Sequence, residues 1–346
     1  MTSTRRFRVV QWSTGNIGRR SLRAVLDHPD MELVGLYVHG EDKRGRDAGE
    51  LCGSEPVGIL ATSDVEEILS LEADCVLYMP LRSNLDEVCR ILESGANVVT
   101  TCSDFHRPAS MKPAERARIE EACRRGGASL HSSGSSPGFI TEALPLVLTS
   151  IERRLDCYTI TESADCSSRN SPDMLFTMMG FGRQAEDFDP RRLERYGTGT
   201  FGASMGVVAD ALGLSFESIE TIAEVAVATE DVEIAAGLLK EGTVAAQRFI
   251  VSGMRDGRAL MRFIASWYLT EAIEPPWELR PTGWHVSVEG DLPLEVSIGF
   301  PVPPERWAET SPGITAFRPV NALAYVVAAE PGIRKTGELP QVIAHL

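Results

Sequence analysis

One segment limits the fold more than any other: Phe7 to Leu26, FRVVQW-STGNIG-RRSLRAVL. The Val-rich run Phe7–Trp12 predicts a strand buried on both faces. Ile17, Leu22, Ala24, Val25 and Leu26 recur at helical spacing until His28-Pro29 ends the helix. Between them lies a tight turn carrying Gly15 and Gly18. The pattern repeats along the first 140 residues. Leu33–Val38, Cys75–Met79, Asn97–Thr101 and Ala128–His131 predict four more buried strands. Ser63-Asp64 opens a short helix, Asn84–Ser94 forms an amphipathic one closed by Gly95, and Pro113–Arg125 forms a charged one closed by Gly126-Gly127. Alternation of this kind implies an α/β fold with a Rossmann-type doubly wound parallel sheet.

The pattern changes after Leu155. Tyr158–Thr161, Arg248–Arg255, Arg258–Trp267, His285–Glu289 and Leu294–Phe300 predict strands, and Asp256-Gly257 between two alternating runs predicts a hairpin. Helices are expected at Ser204–Leu212, Asp231–Lys240 and, buried all round, Pro319–Ala329. The length of 346 residues suits two domains. We expect a dinucleotide-binding domain over 1–140 and an α+β domain with a mainly antiparallel sheet over 141–312. Residues 313–346 are expected to form a helix and tail returning to the first domain.

Charge and cysteine usage narrow the partners. A net charge of -15 disfavours nucleic acid and anionic membrane surfaces. No apolar stretch resembles a signal segment or a membrane span. The seven cysteines are scattered, with no Cys-x-x-Cys, which suits free thiols in the cytoplasm and argues against a metal site.

Candidate site residues follow from the strand ends. In the fingerprint G-x-G-x-x-G, Gly15 and Gly18 stand at the second and third glycines and Ser13 at the first. Ser13, Thr14, Gly15, Asn16, Ile17, Gly18 and Arg19 therefore form the expected pyrophosphate-binding turn, unless the turn serves only to join strand and helix. After the second strand come His39, Lys43 and Arg44, either around a 2′-phosphate, favouring NADP over NAD, or as solvated loop charges. In a doubly wound sheet ligands lie beyond the strands' C-terminal ends. This selects Met79, Pro80, Thr100, Thr101, Cys102, Ser136 and Pro137 around the cofactor and Ser103 towards substrate. Asp104 is the carboxylate of these segments, serving to transfer a proton or to anchor an amine, or else capping a turn. Glu162 and Asp165, expected just after a strand, face either a cleft or solvent. Met178, Met179, Phe181 and Trp284 line a substrate pocket or fill a core.

Taken in order, WSTGNIGRRSLRAVL, LVGLYV with KRGRDAGEL, NVVTTC, SSPGFITEALPLVLT, MMGFG and VNALAYVVAAEPGI resemble the 2,4-diaminopentanoate dehydrogenase and native amine dehydrogenase family. The first domain is similar to that of dihydrodipicolinate reductase. The resemblance implies a homodimeric NAD(P)-dependent oxidoreductase that interconverts a small amine with a ketone-type partner through an imine. It implies that Gly15–Gly18 hold the pyrophosphate and that Thr100, Thr101 and the SSPGF loop flank the nicotinamide. The family's T-T-C-E-E reads Thr100-Thr101-Cys102-Ser103-Asp104 here, and V-N-P-G-F reads Ser135-Ser136-Pro137-Gly138-Phe139. Two other readings are a carbonyl reductase without amine chemistry and a dinucleotide-binding sensor with reduced catalysis.

Overall fold

The structure is a computed structural model and describes residues 5–345. Met1–Thr4 and Leu346, the outermost residues of the first and last expected segments, lie outside the described residues. Two compact units result: residues up to Ala143 together with those from Ser311 onward, and Leu144–Thr310.

The first unit begins β1 (Phe7–Trp12), α1 (Asn16–Asp27), β2 (Met31–Tyr37), α2 (Ala48–Cys52), β3 (Ala61–Thr62) and α3 (Val65–Leu69). It continues β4 (Cys75–Tyr78), α4 (Leu85–Glu93), β5 (Asn97–Thr100), α5 (Pro113–Gly126) and β6 (Ser129–Ser132). Asp64 caps α3 and Asn84 caps α4, each accepting backbone N–H bonds from the first turn. A returning strand, Gly332–Arg334, pairs with β6, and the parallel order from that edge is β6-β5-β4-β1-β2-β3. Chain direction across the sheet reverses at β1, so the C-terminal ends of β1 and β4 open a crevice. Both faces of the sheet are covered. Val9 packs with Leu22, Val25 and Leu36 on one face, whereas Val10 and Trp12 pack with Ile91, Leu92 and Ile119 on the other.

The second unit contains α6 (Leu144–Leu148), β7 (Leu155–Asp165), α7 (Pro190–Gly197), α8 (Ala203–Ala211) and β8 (Ser218–Ala228). Then come β9 (Val232–Ile234), β10 (Gly237–Leu239), β11 (Val244–Arg255), β12 (Arg258–Tyr268), β13 (Ile273–Glu274), β14 (Gly283–Gly290) and β15 (Leu294–Gly299). The main sheet runs β13-β8-β11-β12-β7-β14-β15 and is mixed, because β7 and β12 pair in parallel. At the β11–β12 hairpin, Asp256 and Gly257 both have positive φ (52° and 71°), the backbone a two-residue turn needs to match strand twist.

Three expectations are corrected here. Asp231–Lys240 is the β9–β10 hairpin rather than a helix. Its three-residue strands are too short to show alternation, and Asp231 ties its ends by accepting from Lys240 Nζ at 2.7 Å and Glu241 N at 2.9 Å. Glu162 and Asp165 lie inside β7 rather than after it, because the strand extends well beyond Tyr158–Thr161. The last helix, α9 (Pro304–Val327), starts well before Pro319 and passes through Pro312 and Pro319. Burial of Val320, Leu323 and Val326 against the first unit's core holds it in spite of the missing proline N–H donors.

Candidate functional site

The turn after β1 is built by a buried polar residue in an apolar strand. Gln11 Nε2 donates to the carbonyl oxygens of Ser13 at 3.0 Å and Trp12 at 3.3 Å. Ser13 itself sits at φ 76°, the left-handed conformation that a fingerprint glycine would supply. A Cβ on Gly18 would lie 2.2 Å from Ser13 O, so only glycine lets α1 approach the turn. Gly15 caps α1 with no side-chain hydrogen bond, and nothing stands within 4 Å of where its Cβ would be. The amides of the first turn thus lack a side-chain cap beside open space. The Thr14 hydroxyl is buried without a hydrogen-bond partner among the described residues. A helix N-terminus with free N–H groups is where a phosphate fits. Asn16 and Arg19 are exposed, whereas Ile17 packs on the core.

A groove beside this turn is lined by Thr14, Gly15, Asn16, Arg19, Lys43, Arg46, Glu50 and Leu51. Lys43 Nζ donates to Thr14 O at 3.3 Å. Arg44 instead pairs with Glu41 at 3.8 Å. The loop bearing these cations is tied by Asp47, which accepts from the N–H groups of Gly49, Val57 and Gly58 at 2.7–2.9 Å. Burial alone would raise the Asp47 carboxyl, but those donors hold it below the ordinary carboxylate range.

His39 turns elsewhere. Its Nδ1 lies 3.4 Å from Ser13 Oγ, its Nε2 3.8 Å from Glu87, and its ring meets Tyr37 edge-on at 5.0 Å. Tyr37 stacks on Trp12 at 3.8 Å. Glu87 also accepts from the Tyr78 hydroxyl at 2.7 Å. Burial, with that bond added, pushes the Tyr78 phenol up.

The ends of β4, β5 and β6 are knitted together. Met79 N donates to Trp12 O at 3.1 Å, and Ser133 N to Thr100 O at 2.9 Å. Cys102 N donates to Thr100 Oγ1 at 3.0 Å, Cys102 Sγ to Pro80 O at 3.5 Å, and Ser132 Oγ to Cys102 O at 2.7 Å. Burial pushes the Cys102 thiol up to about 11, so it is not a ready nucleophile. Thr101 and Ser103 are half-buried. Asp104 is exposed, and Ser83 Oγ donates to its Oδ2 at 2.6 Å, leaving Oδ1 outside that bond. In the following loop the hydroxyls of Ser133 and Ser136 are buried without partners among the described residues. Pro137 beside Ser136 is half-buried, and Ser135 Oγ meets Thr315 Oγ1 at 2.7 Å.

Below these ends lies a polar core. His106 Nδ1 is 3.1 Å from Glu142 Oε1, both side chains being 1% exposed, and Thr336 Oγ1 donates to Glu142 Oε2. His131 Nδ1 donates to Arg334 O at 2.8 Å, the tautomer that a carbonyl partner demands. Burial lowers the His131 imidazole to about 4. Among the described residues no group of three His, Cys, Asp or Glu could hold a metal. All seven cysteines are buried and free, and among the described residues no helix is long and apolar enough to cross a membrane.

In the second unit Phe181 is 1% exposed within the core, and Met179 is partly buried against it. Met178 is half-buried and its carbonyl accepts from Arg192. Trp284 is 8% exposed, and its indole donates to Glu162.

Gln11, Arg46, Asp47, Glu87 and Glu142 escaped sequence reasoning. Gln11 and Glu142 carried a weak signal, a polar residue inside an apolar run. The others became visible only when loops closed on the strand ends.

Residues 139–346 match the family model of the 2,4-diaminopentanoate dehydrogenase C-terminal domain, and residues 9–128 that of dihydrodipicolinate reductase, N-terminus. The chain is 31% identical over 344 residues to an amine dehydrogenase of Streptomyces virginiae, covering 96% of this chain and 95% of that one. It is 24% identical over 347 residues to 2,4-diaminopentanoate dehydrogenase of Acetoanaerobium sticklandii, covering 96% and 93%. The solved structure of amine dehydrogenase from Mycobacterium smegmatis shares the fold, with a TM-score of 0.80 at 22% identity over 98% of this chain and 97% of that one.

Proposed function

Because the chain belongs to the 2,4-diaminopentanoate dehydrogenase and amine dehydrogenase family, we propose that it is an NAD(P)-dependent oxidoreductase interconverting a small amine with its imine or carbonyl. One observation carries this reading: the uncapped first turn of α1 beside the unpartnered Thr14 hydroxyl and the groove with Arg19, Lys43 and Arg46. Ser13, Thr14, Gly15, Asn16, Ile17 and Gly18 hold the pyrophosphate chiefly through backbone N–H groups. Met79, Pro80, Thr100, Thr101, Cys102, Ser136 and Pro137 shape the nicotinamide side. When bound, the dinucleotide supplies or accepts the hydride.

Asp104 holds the amine as an ammonium, or passes a proton at Oδ1, while the Ser83 hydroxyl fixes Oδ2. The buried Cys102 thiol stays protonated and excludes water. Ser103 shapes the substrate side.

NADP is preferred over NAD, supported by Arg19, Lys43 and Arg46 around the groove. His39 contributes a polar edge rather than a phosphate contact, since it faces Glu87, and Arg44 acts at longer range. A homodimer is supported by one face of the second unit's sheet. Ile222, Ile250, Ile264 and Thr161 align across neighbouring strands, Ile222 being 67% exposed and the others half-buried. The free thiols support the cytoplasm.

The test is NADPH oxidation with small ketones and aldehydes, with and without ammonia. Turnover that requires ammonia supports amine chemistry. Turnover without ammonia points to carbonyl reduction, and binding without turnover to a sensor. Asp104→Asn should lower kcat at least tenfold with NADPH affinity unchanged, and an unaffected kcat removes Asp104 from the reaction.

A further inference from the structure

The first unit buries an acid–base pair that the proposed reaction leaves idle. His106 Nδ1 lies 3.1 Å from Glu142 Oε1, close enough for an ion pair but off the line of a good hydrogen bond. Both side chains are buried, and Thr336 Oγ1 donates to the other carboxylate oxygen. Arg318 of α9 and His131 of β6 lie within electrostatic reach of Glu142. The two partners come from the two loops that carry the candidate site at the strand ends. His106 closes the turn that carries Asp104. Its N–H donates to Ser103 O at 3.2 Å, and Phe105 beside it is sunk in the apolar core. Glu142 closes the loop that carries Ser136 and Pro137. That loop is folded on itself, with Phe139 N donating to Gly134 O at 2.8 Å and Gly138 N to Thr141 Oγ1 at 2.9 Å.

The same two loops are already tied where they leave the sheet. Ser133 N donates to Thr100 O, and Ser132 Oγ to Cys102 O. The His106–Glu142 contact joins them again at their far ends. Joined at both ends, neither loop can slide along the other. Thr336 brings the returning C-terminal segment to the same point. Stability alone does not call for charges here. A buried ion pair seldom outdoes well-packed apolar side chains, and its best-attested use is to fix register. Any shift that separates the partners strands a charge in a low-dielectric site, so one arrangement of the loops is favoured over its neighbours.

We propose that His106 and Glu142 are positioning residues, a buried strut that fixes the Asp104 turn and the Ser136–Pro137 loop in the one register that receives the nicotinamide. Neither side chain touches cofactor or substrate, because both are buried. The inference rests on the oxidoreductase reading for what the two loops hold. It separates the two ends of the dinucleotide: the end on the Gly15–Gly18 turn does not depend on the strut.

The test is calorimetric titration of the full chain with NADPH and with 2′-phospho-ADP-ribose, which lacks the nicotinamide. The native chain should bind NADPH more tightly than the fragment. Folded Glu142→Gln should lose about tenfold or more in NADPH affinity, since shifts of ~1 Å are heavily penalised, while fragment affinity stays within about threefold. His106→Gln, made on the other loop, should show the same loss, and the double variant should lose no more than either single one, because the two act as one contact. Thr336→Val removes one donor and should move the ratio in the same direction by less. Equal binding of both ligands by the native chain, a loss shared by the fragment, losses that add in the double variant, or an unchanged ratio in folded Glu142→Gln overturns the proposal. If Glu142→Gln does not fold, His106→Gln and Thr336→Val decide, and an unchanged ratio in both overturns it. A native chain that binds neither ligand refutes the dinucleotide reading itself, and the proposal with it, before any variant is compared.

Discussion

Gly18→Ala is the sharpest probe of the cofactor turn. The added Cβ would stand 2.2 Å from Ser13 O, about 1.2 Å short of the 3.4 Å at which ordinary contact begins. Ser13 cannot yield easily. Its carbonyl is held by Gln11 Nε2 at 3.0 Å, its N–H by Tyr37 O at 2.8 Å, and its φ is already 76°. The strain is therefore relieved by moving the start of α1 away from the turn. Overpacking costs ~1–3 kcal/mol, offset by up to ~1 kcal/mol because alanine is the better helix former. The net loss of stability is ~0–2 kcal/mol, a fall in Tm of a few degrees. Binding suffers more. A displacement of ~1 Å is worth ~10²-fold, or about 2.7 kcal/mol. Gly15→Ala is the control. Its φ of -69° and ψ of -170° suit any residue and its Cβ meets nothing within 4 Å, so stability should not change. That Cβ would stand in the proposed phosphate cradle and lower affinity by ~10-fold, with Gly15→Asp abolishing binding by adding like charge. NADPH fluorescence titration with thermal unfolding of each variant reads both quantities. Folded Gly18→Ala that binds NADPH within threefold of the native chain would falsify the argument that this contact sets the cradle.

Three further outcomes follow from the same geometry. Lys43→Ala should weaken NADPH more than NADH in paired titrations, and equal loss on both would remove its role in the 2′-phosphate preference. Asp47→Ala strands several backbone N–H groups and should cost ~2–4 kcal/mol in urea unfolding at pH 7. Because the folded Asp47 carboxyl lies below its unfolded value, its contribution is present above about pH 4 and disappears as pH falls through the depressed folded value. A variant as stable as the parent at pH 7 refutes it. His131 titrates at about 4 in the fold, against ~6.5 in an unfolded chain. Between those values the unfolded chain takes up the proton, so stability falls by up to ~3 kcal/mol as pH drops from 6.5 towards 4. His131→Gln should flatten that slope in denaturation at a series of pH values, and an unchanged slope places the titration elsewhere.

Much of the first unit was legible because its signals are local. Strand, turn and helix follow one another within twenty residues at Phe7–Leu26, and each later strand is a short apolar run. Caps such as Asp64 and Asn84 declare themselves by type and position. The second unit was less legible. The β9–β10 hairpin is too short to show a period, and the parallel β7–β12 pair joins strands about a hundred residues apart. Within the site, glycine positions could be read, since their conformational freedom is a property of the residue. The environment of a carboxylate could not. Asp104 stood out by location along the chain, whereas Glu162 and Glu87 gained their settings from residues distant in sequence.

The sequence by itself determined the doubly wound sheet, the glycine-bearing turn at the head of α1, and the family to which the chain belongs. These depend on periodicity and on backbone chemistry carried by neighbouring residues. Only the tertiary structure decided which charges meet. It sent Arg44 to Glu41 and His39 towards Glu87, kept Lys43 at the groove, buried His106 against Glu142, and set Glu162 between two indoles. Coulomb and hydrogen-bond energies depend on separation and burial, and both are properties of the folded chain.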